Sequence, residues 1–155
     1  MKQERVKELL SEALAENEEL FLIDLSFLAE NKILVQVDGD KGVALNECMR
    51  ISRHIEQNLD REEEDFGLEV TSPDIANPLK VKRQYQKNIG KILQIKTTTN
   101  ENYEGVLTET NENQVFLEWK AREPKPIGKG KVTVVKTATI EYKNIEEAKV
   151  KIIFN

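Results

Sequence analysis

The chain contains one cysteine, Cys48, and one histidine, His54, among its 155 residues. A single cysteine excludes an internal disulfide framework and any metal site built from several cysteines. A single histidine removes most zinc sites and catalytic triads, which rely on imidazole groups. The two residues lie six positions apart on one predicted helix, so their side chains diverge and a cysteine–histidine catalytic pair is not expected.

Long apolar runs are also missing. No stretch approaches the ~20 residues that a membrane-spanning helix needs. The first 20 residues are charged throughout and lack the apolar core of a signal peptide. With 39% hydrophobic and 33% charged residues, the composition is that of a globular protein with a charged surface. We therefore expect a cytoplasmic protein without a membrane partner.

Motifs for nucleotide or calcium binding are absent or incomplete. The chain has neither a GxGxxG motif followed by a helix nor a GxxxxGK[ST] loop. An EF-hand loop beginning at Asp38 would need an acidic or amide ligand at its fifth position, glycine at its sixth and glutamate at its twelfth. Those positions hold Gly42, Val43 and Met49, so Asp38-Gly39-Asp40 predicts a tight turn before a helix. We expect no cofactor and no enzymatic activity.

Charge is distributed unevenly along the chain. Residues 1–80 carry 9 basic and 19 acidic residues, a net charge of −10, whereas residues 81–155 carry 14 basic and 9 acidic residues, a net charge of +5. The sign changes within the stretch GLEVTSPDIANPLK, residues 67–80. Such asymmetry indicates two modules, and we expect domains at 1–80 and 81–155.

The first domain is predicted to have the order α-β-β-α-β, an α+β arrangement of helices on a small three-stranded sheet. Apolar residues recur at helical spacing in the two predicted helices and at alternate positions in the strands. We expect Phe21, Ile23, Leu25 and Phe27 to share one face of the first strand, and Ile33, Val35 and Val37 to face inward. The predicted elements are helices at 3–16 and 45–59, and strands at 20–28, at 32–38 and around Leu68 and Val70.

The second domain is predicted to be a small closed β-barrel. After one helical turn at 83–90, short β-type runs follow at close spacing, and closing them into a barrel would remove exposed edges. A single helical turn is expected at 144–148 before the last run. The five predicted strands are 91–97, 103–110, 114–119, 131–142 and 149–154.

Basic residues form two groups in the second half of the chain. One lies at the entry to the predicted barrel and contains Lys80, Lys82, Arg83, Lys87 and Lys91. The other is expected on a long loop beside Trp119 and contains Lys120, Arg122, Lys125, Lys129, Lys131 and Lys136, with Glu123 among them. Such a loop would bind RNA phosphates by releasing counterions, and the alternative is a lysine-rich solubilising surface.

The segments IDLSF, KILVQVDGDKGVALNECMRISRHIEQNLD, LEVTSPDIANPLK, RQYQKNIGK and YEGVLTE resemble the family of bacterial ribosome maturation factors called RimP, essentially along the whole chain. In that family a hairpin leads into an Asp-Gly turn and a helix entry with a valine-x-leucine-x-x-cysteine pattern, here Val43, Leu45 and Cys48. Ser52-Arg53 matches the Ser-Arg pair of the family's helix.

The family's closing segment matches residues 70–79, including Ser72, Pro73 and Pro78. This chain departs from it at Thr71, where serine is usual, and at Asp74, where glycine is usual. Ala76-Asn77 also replaces the common Asp-Arg pair, which removes an arginine that could face RNA. We expect the segment, including Ser72, Pro73, Asp74, Asn77 and Pro78, to close the first domain and join it to the second.

The resemblance implies an N-terminal α/β domain followed by an SH3-like (Sm-like) barrel. It also implies a non-enzymatic factor that binds the immature small (30S) ribosomal subunit, with rRNA and the ribosomal protein S-twelve as partners. The alternative function is a generic RNA- or protein-binding module of the SH3-like or Sm-like type. We expect a monomer, because neither predicted sheet has an obvious long apolar edge.

Overall fold

A computed structural model of the protein describes residues 3–60, 62 and 65–152. The chain divides into two compact units, one through Asp74 and one from Ile75 onwards. The division falls six residues before the boundary expected from the sequence. Leu79 explains the difference, because its backbone N–H donates to the Ala148 carbonyl at 2.8 Å and its side chain packs on the core of the second unit.

The first unit has the predicted order of elements. It contains a three-stranded sheet, in which β2 lies between an antiparallel β1 and a parallel β3. The elements are α1 (Gln3–Ala15), β1 (Leu20–Leu28), β2 (Lys32–Gly39), α2 (Leu45–Asn58) and β3 (Gly67–Thr71). A short 3-10 helix, Ala29–Asn31, joins β1 to β2.

Helical periodicity and strand alternation create the core of this unit. The apolar stripe of α1 is buried, as are Cys48, Ile51 and Ile55 on α2. These side chains pack with Ile33, Val35 and Val37, which are almost inaccessible to solvent, as the alternation in β2 predicts. The helices therefore cover one face of the sheet.

The prediction that four alternate residues of β1 share one face is wrong. A bulge shifts the register between Leu22 and Asp24, so that Leu22 pairs with Val37 but Leu25 pairs with Val35. Directly paired residues lie on the same face, so Leu25 faces the core with Val35, while Phe21 lies on the opposite face with its partner Asp38. The extra residue of the bulge reverses the alternation.

The second unit contains a short helix and a five-stranded antiparallel sheet with strand order β7-β6-β5-β4-β8. Its elements are α3 (Lys82–Lys87), β4 (Ile92–Thr97), β5 (Asn102–Thr110), β6 (Gln114–Pro124), β7 (Lys131–Glu141) and β8 (Ile145–Val150). Gly90, predicted to end the helical turn, has φ 96°, a conformation that glycine adopts readily. The core contains Tyr85, Leu93, Ile95, Leu107, Val115, Leu117, Ile140, Ala148 and Val150.

The end of the chain differs from the sequence prediction. Residues predicted to form a helical turn at 144–148 belong largely to β8, and the turn before them is a 3-10 helix, Tyr142–Asn144. β8 pairs with β4, where Ala148 lies opposite Ile95 and is fully buried. The predicted strand at 149–154 therefore begins too late, and its last two residues lie outside the described part of the chain.

The five strands form an antiparallel sheet, but hydrogen bonding does not close it. Among the described residues, no ladder joins β7 to β8, and these two strands lie at the edges. No helix of the described part of the chain is long and apolar enough to cross a membrane.

Candidate nucleic-acid interface

The first basic group lies near the start of the second unit, in and around α3. Lys82 Nζ donates to the Glu112 carbonyl at 2.6 Å and lies 5.3 Å from the centre of the Tyr142 ring, within cation–π range. Arg83 and Lys87 are half-buried, and each has an interaction partner. These three cations therefore have structural contacts that an RNA partner would have to share.

Lys80 and Lys91 flank this helix with exposed side chains and engaged backbones. The Lys80 N–H donates to Gln84 Oε1 at 2.6 Å, and Gln84 is itself buried. The Lys91 N–H donates to the Asn88 carbonyl at 3.0 Å. Lys80 thus precedes α3 and Lys91 follows it, and each is fixed through its backbone N–H.

The second basic group lies on a hairpin and not on the long loop predicted from the sequence. β6 and β7 pair continuously from Gln114↔Glu141 to Pro124↔Lys131, whereas the ladder between β5 and β6 reaches only to Val106↔Glu118. Residues 119–124 and 131–136 therefore pair only with each other, and we call them the ribbon. The predicted strand at 131–142 agrees with β7, but β6 continues five residues beyond its predicted end at 119, because charged residues interrupt the apolar alternation there while backbone pairing continues.

The register separates the basic side chains of the ribbon onto two faces. Lys120 pairs with Val135, Arg122 with Thr133 and Pro124 with Lys131, and paired residues share a face. We call the face with Lys120, Arg122 and Lys131 the basic face. Lys136 lies opposite Trp119 on the other face, where its ammonium group forms an ion pair with Glu123.

The tip of the hairpin, residues 125–130, carries the two remaining lysines, Lys125 and Lys129, both exposed. It closes through a hydrogen bond of 3.2 Å from the Lys125 N–H to the Gly130 carbonyl. Gly128 and Gly130 have φ of 88° and 96°, so the turn uses the conformational freedom of glycine twice. The tip therefore presents its two cations on a short, closed turn.

Hydrogen bonds hold Arg122 across the basic face. Its Nη1 donates to Thr133 Oγ1 at 3.0 Å, and its Nη2 donates to the Lys131 carbonyl at 3.3 Å. A guanidinium has five N–H donors, so Arg122 keeps donors for a further acceptor. Within the described residues, Lys120, Lys125, Lys129 and Lys131 form no ion pair with a carboxylate.

Residues 72–79 of the closing segment follow β3 and span the division between the units. Ser72, Asp74, Asn77 and Pro78 are exposed and Pro73 is half-buried. Asp74 and Ala76, two of the positions that depart from the family pattern, have interaction partners. Prolines lack a backbone donor, which fits a segment outside both sheets.

The Asp38-Gly39-Asp40 stretch ends β2 and enters a tight turn over residues 39–42, which precedes α2 as predicted. The Gly42 N–H donates to the Gly39 carbonyl at 2.9 Å, and Asp38 Oδ1 accepts from the Gly39 N–H at 2.8 Å. A Cβ at Gly39 would run into the Gly42 carbonyl oxygen, so the turn requires glycine there. Among the described residues, no three His, Cys, Asp or Glu side chains come together to hold a metal ion.

Cys48 is a core residue of α2. It is 7% exposed, and burial raises the pKa of its thiol. A raised pKa disfavours the nucleophilic thiolate. His54 lies on the flank of the helix, with its Nε2 3.8 Å from Glu12 Oε2.

The basic residues can be identified from the sequence, but which of them share a face cannot. Thr133, which orients Arg122, was not among the predicted residues. Lys136 was grouped with lysines that lie on the opposite face. Alternation along 119–124 and 131–136 was the available signal, but the register that sets the faces depends on the turn between the strands.

Comparison with known proteins gives consistent results along the chain. The family model of the RimP N-terminal domain matches residues 10–76. A protein named ribosome maturation factor RimP from Christiangramia forsetii is 53% identical over 154 residues, 99% of this chain and 100% of the relative. One of the same name from Flavobacterium psychrophilum is 54% identical over 151 residues, 97% of each chain. Another from Porphyromonas gingivalis is 36% identical over 146 residues, 94% of this chain and 95% of the relative. The chain belongs to the RimP family of ribosome maturation factors.

Proposed function

We propose that this protein is a non-enzymatic assembly factor that binds the immature small ribosomal subunit and assists its maturation in the cytoplasm. The observation that carries the proposal is identity above 50% along nearly the whole chain to relatives named ribosome maturation factors. The match covers both units, so we assign the function to the two units together.

The second unit supplies the contacts to rRNA. The candidate contact residues are Lys82, Arg83, Lys87, Lys120, Arg122, Lys125, Lys129 and Lys131. Arg and Lys side chains bind phosphates with a gain from released counterions, so this contact weakens as salt rises. The closing segment, with Ser72, Pro73, Asp74, Asn77 and Pro78, joins the two units and contributes no arginine to the interface.

The first unit supplies the contact to a basic ribosomal protein, for which S-twelve is the candidate. Residues 1–74 hold 8 basic and 19 acidic residues, and this net charge of −11 favours encounter with a strongly basic surface. Opposite charge on the two halves lets one monomer contact RNA and protein together.

The second unit belongs, in this proposal, to the SH3-like or Sm-like class of small barrels. The strand order β7-β6-β5-β4-β8 places the last strand beside the first strand of the unit, an arrangement compatible with a sheet that curves towards closure. A single apolar core shared by all five strands supports the same conclusion.

Co-sedimentation of the tagged full-length protein from growing cells tests the function. We expect it to accompany small-subunit precursors, to enrich precursor rRNA and S-twelve, and to be scarce on mature translating ribosomes. A generic RNA- or protein-binding module would distribute over precursors and mature ribosomes alike. Equal recovery from both fractions would therefore contradict the proposal.

A further inference from the structure

We propose that the ribbon and the hairpin tip, residues 125–130, form an RNA-binding arm that contacts the sugar-phosphate backbone through the basic face and the tip. Lys120, Arg122 and Lys131 supply the cations of the face, and Lys125 and Lys129 supply those of the tip. Lys136 takes no part. This inference rests on the proposed function for its RNA partner, although it is tested on RNA alone.

The pairing pattern makes the ribbon available to a partner. Residues 119–124 pair with 131–136, and β5 adds no ladder beyond Val106↔Glu118. Six residues of strand extend roughly 20 Å at about 3.3 Å per residue. The arm is therefore long enough to follow several consecutive phosphates.

Positive charge that is not neutralised by a carboxylate of the ribbon is confined to one face of the arm. The three cations of the basic face have no carboxylate opposite them in the ribbon, because their paired neighbours are Val135, Thr133 and Pro124. On the other face, Glu123 neutralises Lys136, and Trp119 packs edge-on against Tyr103 with ring centres 6.3 Å apart. The arm thus has one face for an anionic partner and one that is already satisfied.

Arg122 is held in position before any partner binds. Its bonds to Thr133 Oγ1 and the Lys131 carbonyl place the guanidinium across both strands, between Lys120 and Lys131 along the face. Because the side chain is already ordered, less conformational entropy is lost when its remaining N–H donors bind a phosphate.

RNA fits this surface better than an acidic protein segment does. Lys120 and Arg122 are two residues apart on one strand, about 6.6 Å, which is close to the spacing of neighbouring phosphates along an RNA strand. RNA presents one negative charge per nucleotide regardless of sequence, whereas a peptide would need carboxylates repeated at that spacing.

Neutralising one lysine on each face of the ribbon, in the full-length protein, tests the RNA-binding arm. The probe is small-subunit rRNA transcribed in vitro, and its affinity is measured as a function of salt. At ~0.15 M salt, counterion release makes each lost phosphate contact cost about fourfold to sixfold. We expect Lys120→Gln to lose that much and to flatten the log–log salt slope by about 0.7 to 0.9.

Lys136→Gln is the matched control, because it removes the same charge from the same ribbon on the opposite face. We expect it to bind within about twofold of the unchanged protein, since no phosphate contact is lost. The triple variant Lys120→Gln, Arg122→Gln, Lys131→Gln should lose about 60- to 200-fold. Far-ultraviolet circular dichroism checks that every variant remains folded.

Thr133→Val separates orientation from charge. It removes the hydroxyl that accepts from Arg122 while the number of cations stays the same. We expect affinity to fall about twofold to fivefold, the size of one hydrogen bond, with an unchanged salt slope. A purely structural role of Thr133 would lower stability and leave affinity at the wild-type value.

Two results would contradict the proposal that the arm binds RNA. Equal losses for Lys120→Gln and Lys136→Gln would mean that net charge alone matters. Unchanged RNA affinity of the triple variant, with lost binding to a polyglutamate probe, would identify an acidic protein as the partner. If precursors still co-sediment in that case, the proposed function stands without the arm. If the unchanged protein does not co-sediment with small-subunit precursors, the proposed function is wrong. The RNA-affinity measurement still tests the arm in that case.

Discussion

At the scale of single residues, Tyr85 is a buried group whose ionisation links stability to pH. It is 5% exposed and packs edge-on against Tyr142 with ring centres 5.2 Å apart. Burial, with a smaller contribution from Tyr142, raises the pKa of Tyr85 to about 12. Because the pKa of an unfolded tyrosine is about 10, the folded protein favours the neutral phenol.

We expect Tyr85 to make the protein sensitive to alkali. The folded pKa lies above the unfolded one, so this stability is complete below about pH 10 and disappears as pH approaches about 12. Two pKa units correspond to about 3 kcal/mol in the free energy of unfolding. Tyr85→Phe keeps the ring but cannot ionise, so urea unfolding should show a smaller loss of stability between these pH values than in the unchanged protein.

Tyr103→Phe is the control for this measurement. Its hydroxyl donates to Glu101 at 2.7 Å on the surface, which raises the pKa of Tyr103, but solvent screens the interaction. We expect the Tyr103→Phe variant to lose nearly the same stability at alkaline pH as the unchanged protein. If Tyr85→Phe and Tyr103→Phe behave alike, Tyr85 is not the group that titrates.

At the scale of secondary-structure elements, Arg50 joins the two helices of the first unit. From α2, its Nη1 donates to the Ala13 carbonyl in the last turn of α1 at 2.9 Å and to Glu16 Oε2 at 2.5 Å. Its Nε and Nη2 donate to the Glu47 carboxylate at 3.2 and 2.9 Å. Carbonyls in the last turn of a helix lack intrahelical partners, and a cation there also complements the helix dipole.

We expect Arg50→Met to destabilise the first unit by about 1–3 kcal/mol, the size of hydrogen bonds to charged groups. Arg50→Lys should recover only part of this loss, because an ammonium cannot make the bidentate contact. Urea unfolding, followed by the exchange of α1 and α2 amides, measures both variants. Full recovery by lysine would mean that charge alone joins the helices.

The pH dependence of the Arg50 contact has a defined sign. The hydrogen bond from Arg50 lowers the pKa of Glu47 below its ordinary value. Its stabilisation is therefore present above the unfolded pKa of about 4.3 and is lost as pH falls through the lower folded value. The stability difference between Arg50→Met and the unchanged protein should shrink in acid, and a constant difference would contradict this account.

Helix and strand positions were largely predictable from local pattern. The helices predicted at 3–16 and 45–59 correspond to Gln3–Ala15 and Leu45–Asn58, because their buried stripes repeat at helical spacing. Details set by pairing were not predictable. The bulge in β1, the continuation of β6 through Pro124 and the incorporation of Ala148 into β8 depend on partner strands that lie far away in sequence.

The candidate interface shows the same division between local and long-range information. Composition identified the cations of the ribbon, since charge can be read directly from sequence. Which of them act together depends on register, because a shift of one residue exchanges the faces of a strand. Lys120 and Lys136 look equivalent in the sequence. Because Lys120 pairs with Val135 and Lys136 pairs with Trp119, the two lysines lie on opposite faces of the ribbon.

At the scale of the whole molecule, charge distinguishes the two units more clearly than any single site. The first unit, residues 1–74, carries a net charge of −11, and the second, residues 75–155, carries +6. On the described surface of the first unit, Glu4, Glu8 and Glu12 recur every four residues along α1 with side chains more than half exposed. Side chains at this spacing share one face of a helix, so they form an acidic stripe.

We expect the acidic stripe to bind the basic protein partner and not RNA. The variant Glu4→Gln, Glu8→Gln, Glu12→Gln should weaken binding of purified S-twelve by about fivefold or more, from ~0.3 kcal/mol or more per exposed ion pair. Its affinity for small-subunit rRNA should stay the same or rise slightly, because negative charge is removed. Fluorescence anisotropy of each labelled partner, at several salt concentrations, measures both.

A second triple variant, Glu109→Gln, Glu112→Gln, Glu146→Gln, is the control for net charge. It makes the same change in the basic unit, at three exposed carboxylates. We expect it to leave S-twelve binding unchanged, because local contacts near the stripe matter more than charges screened beyond ~8 Å at physiological salt. Equal weakening by both variants would mean that the molecule attracts S-twelve only through its overall charge. Weakening by the stripe variant alone, together with loss of RNA affinity in the ribbon variants alone, would assign the two partners to opposite ends of the sequence.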